Sequence, residues 1–347
     1  NRIYNILKSA SDLRVASDEL SSQISDWPTE YHFSALRSNL LKSFKFNFNC
    51  RVLEIGSGCG AITRQLAEDN LNIDALEGSY RRALITKERC RELDNVQVIN
   101  DNFFNYKTNL NYDLITLIGV LEYAPLFFPS ADSCKDMLKK AFKLLSKNGL
   151  LIIAIENRLG LKYFNGCRED HAGKLFHGVE DMYENNSFLT LGKKELINIL
   201  NLSGFKNIEF LYPFPDYKLT QLLIRKEALD NERLPLGDII GCYPARDYSG
   251  QNIRFFQEKR TWTVFEKNGL IPDFSNSFLI FAWKDDNNLS HYTSDWLIRT
   301  FSAQRKRKYL TFNNFYEKNN LIYVNKRKIY SETINSPLIS LEEFEEE

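Results

Sequence analysis

The stretch Val52-Leu53-Glu54-Ile55-Gly56-Ser57-Gly58-Cys59-Gly60 decides how the rest of the chain is read. A short apolar run passes straight into alternating glycines, and Ile62 to Asn70 then carries apolar residues at helical spacing. Glycines in such a strand-to-helix turn let the backbone bend tightly and let a ligand approach without Cβ atoms in the way. A merely tight turn is the plain alternative, but the strand before and the helix after favour a cofactor loop.

Outward from this loop, short apolar runs alternate with helical stretches. The runs are Val52 to Ile55, Ile73 to Leu76, Val96 to Ile99, Leu114 to Ile118, Leu150 to Ile155, Ile208 to Leu211 and Leu219 to Ile224. Helices are expected over Ile62 to Asn70, Tyr80 to Leu93, Cys134 to Leu145 and Leu196 to Leu202, the last closed by Gly204. Before the first strand, Phe33, Leu36, Leu40, Leu41 and Phe44 predict one amphipathic helix, with Pro28 where a first turn tolerates it. Alternating strands and helices imply an α/β fold with a mostly parallel sheet covered on both faces. The last two runs are separated only by Tyr212 to Lys218, too short for a parallel crossover, so they are expected as an antiparallel hairpin closing the sheet. The aperiodic stretch from Asn157 to Thr190 reads as a functional loop.

Beyond Lys226 the sequence becomes aromatic and β-leaning, at Ile253 to Phe256, Trp262 to Phe265, Phe278 to Trp283 and Leu321 to Val324. The expected division is 1–226, a cofactor-binding domain with N-terminal lid helices, and 227–347, a β-rich accessory region. A chain of 347 residues is long enough for this. Lys plus Arg and Asp plus Glu both number 45, so nothing in the overall charge favours a nucleic-acid partner. Cys50, Cys59, Cys90, Cys134, Cys167 and Cys242 lack zinc-ligand spacing and are expected as free thiols in the cytoplasm. No transmembrane or signal segment is visible. The start at Asn1 and the acidic run Leu341 to Glu347 suggest a piece of a longer protein.

Two cofactors compete for the glycine loop. Gly56, Gly58 and Ala61 also fit the dinucleotide fingerprint, with Glu77 near the spacing of a ribose-binding acid. Glu54, however, would place a carboxylate near a pyrophosphate, whereas a cofactor with a sulfonium and an ammonium gains from it. Glu54 to Gly60 resembles motif I of class I S-adenosylmethionine (SAM)-dependent methyltransferases, over about residues 27 to 226. The resemblance implies a Rossmann-like sheet with an antiparallel last strand. It also implies that Gly56, Ser57, Gly58 and Gly60 line the methionine part of SAM, and that Glu77 and Gly78 meet the ribose. Asp101 and Asn102 then meet the adenine, and Gly119 and Glu122 lie beside the methionine carboxylate and the transferred methyl.

A narrower likeness rests on Trp27, Tyr31 to Ser34 with Arg37, Asn39 to Leu41, Ile155 to Gly160, Glu169-Asp170-His171 and Tyr212 to Lys218. These resemble a methyltransferase group of bacterial O-antigen, capsule and related polysaccharide assembly, often joined to glycosyltransferases. The implied reaction is O-methylation of a sugar hydroxyl on a nucleotide- or lipid-linked glycan. Cytoplasmic location follows, with peripheral attachment at the inner face of the membrane as an extension. The alternatives kept open are a small-metabolite or protein acceptor, an NAD-dependent oxidoreductase, and a catalytically silent SAM-binding assembly module.

A hydroxyl acceptor must lose its proton, and a histidine suits that task. His171 is the first candidate base, with Glu169 or Asp170 to orient it, and Glu156 is the second; a surface charge cluster and a satisfied strand-end carboxylate are the plain alternatives. His177 and Glu180, with Asp170 and His171, are considered as an extension of the pocket or as ligands for Mg²⁺ or Ca²⁺, but their spacing defines no metal site and none is expected. His32 and Arg37 are lid candidates, Asp216 to Lys218 are read as turn residues, and Arg305 to Lys308 as a solvated basic face.

Overall fold

The computed structural model describes residues 2–47, 50–128, 130–251, 253–285 and 287–330, together with the backbone at 345–346. The expected strands form where the apolar runs stand: β1 Arg51–Ile55, β2 Asn72–Leu76, β3 Val96–Ile99, β4 Tyr112–Ile118 and β5 Leu145–Glu156. They pair in parallel in the order β3-β2-β1-β4-β5, with helices Ala61–Glu68, Tyr80–Arg89 and Ser133–Leu144 among the connections. The order reverses between β1 and β4, and in open α/β sheets ligands bind outside the carboxyl ends of the strands at that point.

The expected hairpin forms, but it does not lie beside β5. Strands β6 Asn207–Phe214 and β7 Leu222–Ile224 do pair antiparallel. The strand beside β5, however, is β8 Ser277–Trp283, antiparallel to both β5 and β6. A segment assigned to the accessory region therefore completes the sheet. Every residue of Ser277–Trp283 is buried: Phe278, Ile280 and Ala282 join the core on one face, Leu279, Phe281 and Trp283 the core on the other. A strand apolar on both faces is stable only inside a sheet that is covered on both sides. Strands β9 Ile298–Phe301, β10 Thr311–Lys318 and β11 Leu321–Lys328 extend the same sheet antiparallel beyond β7. The result is a Rossmann-like sheet, parallel through its first five strands and continued by antiparallel ones.

Two local readings also change. Trp262 to Phe265 lies in a helix, Glu258–Lys267, that buries Trp262 against Phe214, while Ile253 to Phe256 is irregular. The helix expected across Phe33 to Phe44 breaks into Trp27–Phe33, a 3₁₀ turn Ala35–Ser38 and Asn39–Lys42. Asp26 caps the first piece and Ser34 restarts the chain, since their side chains accept the backbone N–H groups of Thr29 and Leu36. In the basic run, Arg307 bonds Asp18 and the Val15 carbonyl, so it anchors the N-terminal segment to the end of the sheet. Among the described residues no helix is long and apolar enough to cross a membrane. The acidic end, apart from 345–346, lies outside the described residues.

Candidate active site

A cavity of about 840 Å³ opens at the carboxyl ends of β1, β4 and β5. Its floor is the glycine loop. Gly56 and Gly58 both have positive φ, +74° and +60°. A Cβ on Gly56 would lie 2.6 Å from Val120 Cγ2, so that glycine is required by its neighbour. At Gly58 a Cβ would meet nothing within 4 Å, so there the loop presents bare backbone to the cavity. Glu77, at the end of β2, accepts hydrogen bonds from the Gly58 and Ser79 N–H groups at 2.8 and 2.9 Å, fixing its carboxylate beside the loop.

Of the expected cofactor residues, Glu54, Gly56, Ser57, Gly58, Glu77, Gly78, Asp101, Asn102, Gly119 and Glu122 line this cavity, while Gly60 packs against Thr86 behind it. Glu54 is buried and accepts a 2.5 Å bond from Thr63; burial raises its pKa to about 8 despite that bond. His32 and Arg37 also line the cavity, and burial with the nearby Arg89 and Arg37 charges lowers the His32 pKa to about 3. Arg37 Nη1 donates to the Tyr217 carbonyl at 3.1 Å, tying the N-terminal segment to the turn after β6.

A second group of ionisable side chains lines the same cavity. The loop after β5 folds back so that His171 faces Glu122 and Glu156, with Nε2 3.9 Å from Glu122 Oε1. Glu169 bonds the other ring nitrogen, Nδ1, at 3.0 Å and also accepts the His171 N–H, so it sets the imidazole's orientation. Burial opposes a charge on His171, but the Glu169 bond and the Glu156 and Glu122 carboxylates outweigh it and raise its pKa to about 9. Glu122 itself is raised to about 8 by burial and by the Glu156 charge. In Glu156 burial is overcome by the Lys218 ammonium, 2.6 Å away, and the pKa is lowered.

Three expectations change here. Asp170 is not free to act on His171: its Oδ2 receives Lys162 Nζ at 2.6 Å and Tyr163 Oη at 2.8 Å, with Lys218 at 3.4 Å. Lys218 is not confined to the turn; its ammonium reaches the cavity and pairs with Glu156. His177 and Glu180 are not among the cavity-lining residues; His177 packs edge-on to Tyr183. Ligand-type atoms of Glu122, Glu156 and His171, a different set from the one considered for Mg²⁺ or Ca²⁺, lie within 4.8 Å of one another. Lys218 already supplies a positive charge to one side of that cluster.

Aromatic side chains form the remaining wall. Trp27 lies 4.1 Å, ring centroid to ring centroid, from Tyr248, and Tyr31, Tyr123 and Tyr217 share the lining. Tyr248, from beyond the expected boundary, donates to Asp216 at 2.6 Å. It went unnoticed because a lone tyrosine in an irregular segment carries no periodicity. Lys162 stands eight residues before Asp170, and only folding shows that the two pair.

Residues 53–151 match the methyltransferase-domain family. A 63-residue stretch is 38% identical to a ribosomal RNA small subunit methyltransferase A of Streptococcus thermophilus, covering 18% of this chain and 22% of that relative. The chain thus spans about a fifth of the curated relative it matches. Among solved structures, a phosphoethanolamine N-methyltransferase 2 of Haemonchus contortus in complex with SAM shares 18% identity over 72% of this chain and 52% of its own, with a TM-score of 0.44. The N-methyltransferase NodS of Bradyrhizobium japonicum, in complex with S-adenosylhomocysteine, shares 16% identity over 60% and 89% of the two chains, with a TM-score of 0.39. The domain match, over 53–151, agrees with the sheet order and the glycine loop in marking this segment as a methyltransferase domain.

Proposed function

We propose that this chain transfers the methyl group of SAM to a sugar hydroxyl of a bacterial surface polysaccharide, with His171 as the base. The observation that carries the proposal is the Glu169–His171 pair, held in the same cavity as the glycine loop and facing Glu122 and Glu156. A neutral amine has its lone pair ready, whereas a hydroxyl becomes a good nucleophile only as its proton leaves. An imidazole oriented by a carboxylate at one nitrogen presents the other to that proton. The aromatic wall and the carboxylates suit a polyhydroxylated ring, which offers apolar faces and many O–H donors.

The residues present fit SAM. The bare Gly58 backbone leaves room beside Glu77, whose carboxylate would accept the ribose hydroxyls, and the cavity volume lies in the range of about 300 to 1,000 Å³ usual for such sites. When bound, SAM supplies a methyl carbon on a positively charged sulfur, and the sulfur keeps the bonding pair when that carbon moves to an oxygen. His171 Nε2 receives the proton the acceptor oxygen gives up. The wall of Trp27, Tyr31 and Tyr248 narrows the access of water. A fused or associated glycosyltransferase, a lipid-linked acceptor and a place at the inner face of the membrane belong to the same proposal.

The test is methyl transfer from labelled SAM to polysaccharide fragments, small metabolites and protein, alongside calorimetric titration with SAM, S-adenosylhomocysteine and NAD. Transfer confined to a metabolite or a protein rejects the glycan acceptor, and binding of NAD alone rejects the class. Two variants probe the cofactor half. Glu77→Ala should weaken SAM binding by roughly 1 to 3 kcal/mol through loss of a charged hydrogen-bond acceptor. A folded variant with an unchanged dissociation constant would place the ribose elsewhere. Gly58→Val should weaken SAM more, because its side chain would project into the open space and its φ of +60° disfavours a β-branched residue. Near-normal affinity there would remove this loop from the SAM contact.

A further inference from the structure

Arg37 stands on the 3₁₀ turn Ala35–Ser38 and is 5% exposed, so its guanidinium has left bulk water. Its neighbours hold it in place. Nη1 donates to the Tyr217 and Lys218 carbonyls at 3.1 and 3.4 Å, and the guanidinium carbon lies 4.7 Å from the Tyr31 ring centroid and 5.8 Å from that of Tyr217. No carboxylate balances the charge, since Arg37 makes no ion pair among the described residues. The other cationic groups lining the cavity are differently placed: Lys218 pairs with Glu156 and Asp170, His171 with Glu169, and Arg82 is exposed. Burial, with the Arg89 and Arg37 charges, keeps His32 neutral, and burial keeps Glu54 largely protonated at neutral pH although Arg37 is near enough to oppose it. Neither supplies an anion for Arg37.

The unused donors say what kind of ligand would. Nε and Nη2 have no hydrogen-bond partner among the described residues, and, unlike Nε of Arg89, neither is sealed from solvent. These two nitrogens form one edge of the planar guanidinium, and their N–H bonds run parallel, the fork that a carboxylate matches with its two oxygens. A ligand carboxylate that enters the cavity loses water and needs such donors in exchange. Position narrows the choice. Arg37 lines the same cavity as the glycine loop, bonded to the turn that carries Lys218 and close enough to Glu54 for its charge to be felt there. With the ribose at Glu77 and the methyl carbon presented to His171, the amino-acid part of SAM lies along the glycine loop, and its carboxylate is the anion that the cofactor brings.

We propose that Arg37 anchors SAM by its carboxylate, through paired hydrogen bonds from Nε and Nη2, and that this contact selects the whole cofactor over adenosine compounds that lack the carboxylate. The inference rests on SAM as the cofactor and is independent of which acceptor is methylated. Nη1 meanwhile holds the Tyr217 and Lys218 carbonyls, so one side chain serves both the cofactor and the turn that brings Lys218 to Glu156.

The experiment is calorimetric titration of the full chain, without acceptor, using SAM, decarboxylated SAM, S-adenosylhomocysteine and 5′-methylthioadenosine. Decarboxylated SAM keeps the sulfonium and the ammonium and lacks only the carboxylate. Its net charge is more positive, which the acidic residues lining the cavity favour, so a preference for SAM has to come from a local contact. The expected result is SAM binding roughly tenfold to a hundredfold more tightly than decarboxylated SAM, the scale of a charged hydrogen bond. In Arg37→Gln this ratio should fall toward one, and in Arg37→Lys, which keeps the charge without the fork, it should lie between. S-adenosylhomocysteine should weaken along with SAM, whereas 5′-methylthioadenosine should bind both variants as it binds the unaltered chain. Parallel loss of SAM, decarboxylated SAM and 5′-methylthioadenosine would mean a structural role and overturns the inference. Equal binding of SAM and decarboxylated SAM by the unaltered chain also overturns it, and leaves the cofactor reading standing. An undiminished ratio in Arg37→Gln places the carboxylate elsewhere, and if that variant does not fold, Arg37→Lys decides by the same ratio. Failure of all four compounds to bind removes the SAM reading and this inference together.

Discussion

His171→Ala should bind SAM about as tightly as the unaltered chain and turn over roughly a hundredfold or more slowly, the usual scale for loss of a general base. The two halves separate because the cofactor is held by the glycine loop and Glu77, not by the imidazole. The pH profile adds a second check. Only neutral imidazole accepts a proton, and although burial disfavours the charge, the Glu169 bond and the Glu156 and Glu122 carboxylates lift its pKa from 6.5 to about 9. The rate of the unaltered chain should therefore climb as pH rises from neutrality toward 9, and this limb should be absent in the variant. Single-turnover kinetics at saturating SAM, across pH, measure both. A folded His171→Ala protein with undiminished turnover would end the base assignment, and Glu156 would be tested next. The rising limb should also shift toward ordinary histidine values in Glu169→Gln, because the first of the raising contacts is weakened.

Asp170→Ala is expected to destabilise the fold by about 3 to 5 kcal/mol, as the removal of one partner from a buried ion pair does. The side chains of Asp170 and Lys162 are 6% and 1% exposed, so the substitution leaves the Lys162 ammonium inside the protein with its closest counter-charge gone. Burial by itself would raise the Asp170 pKa, but Lys162 and Lys218 prevail and hold it below the ordinary value of 3.8. The sign follows from linkage. A group with a depressed folded pKa contributes its full stability above 3.8, and that contribution is lost as pH falls through this value toward the folded pKa. Urea denaturation near neutral pH and in acid should show a large gap between the two proteins that narrows on acidification. Equal midpoints at neutral pH would mean that the pair contributes nothing. Adding Lys162→Met to Asp170→Ala should recover part of the loss, since the stranded charge is then removed as well.

The cofactor half was legible because its signals are local. A strand, a glycine turn and a helix from Val52 to Asn70 need only neighbouring residues to be recognised, and a strand ending just before Glu77 follows from the alternation that starts there. The sequence alone likewise placed β1 to β7 close to where they form, because an apolar run has few stable fates in a chain of this composition. The order of those strands was not local. Ser277–Trp283 is apolar on both faces, which marks a central strand, but only the packing of the whole sheet shows that its place is between β5 and β6. That placement joins the segment after residue 226 to the sheet and brings Tyr248 to the cavity.

The acceptor end was half legible for the same reason. Glu169, Asp170 and His171 stand together in the sequence, and nothing there distinguishes the carboxylate that orients the imidazole from the one paired to lysine. The distinction comes from Lys162, eight residues earlier, and Lys218, on the turn after β6. Sequence determines which side chains are available and the helices and strands that carry them. Only the tertiary structure decides which charges are buried next to one another, because pair energies and desolvation depend on distances that chain separation does not set.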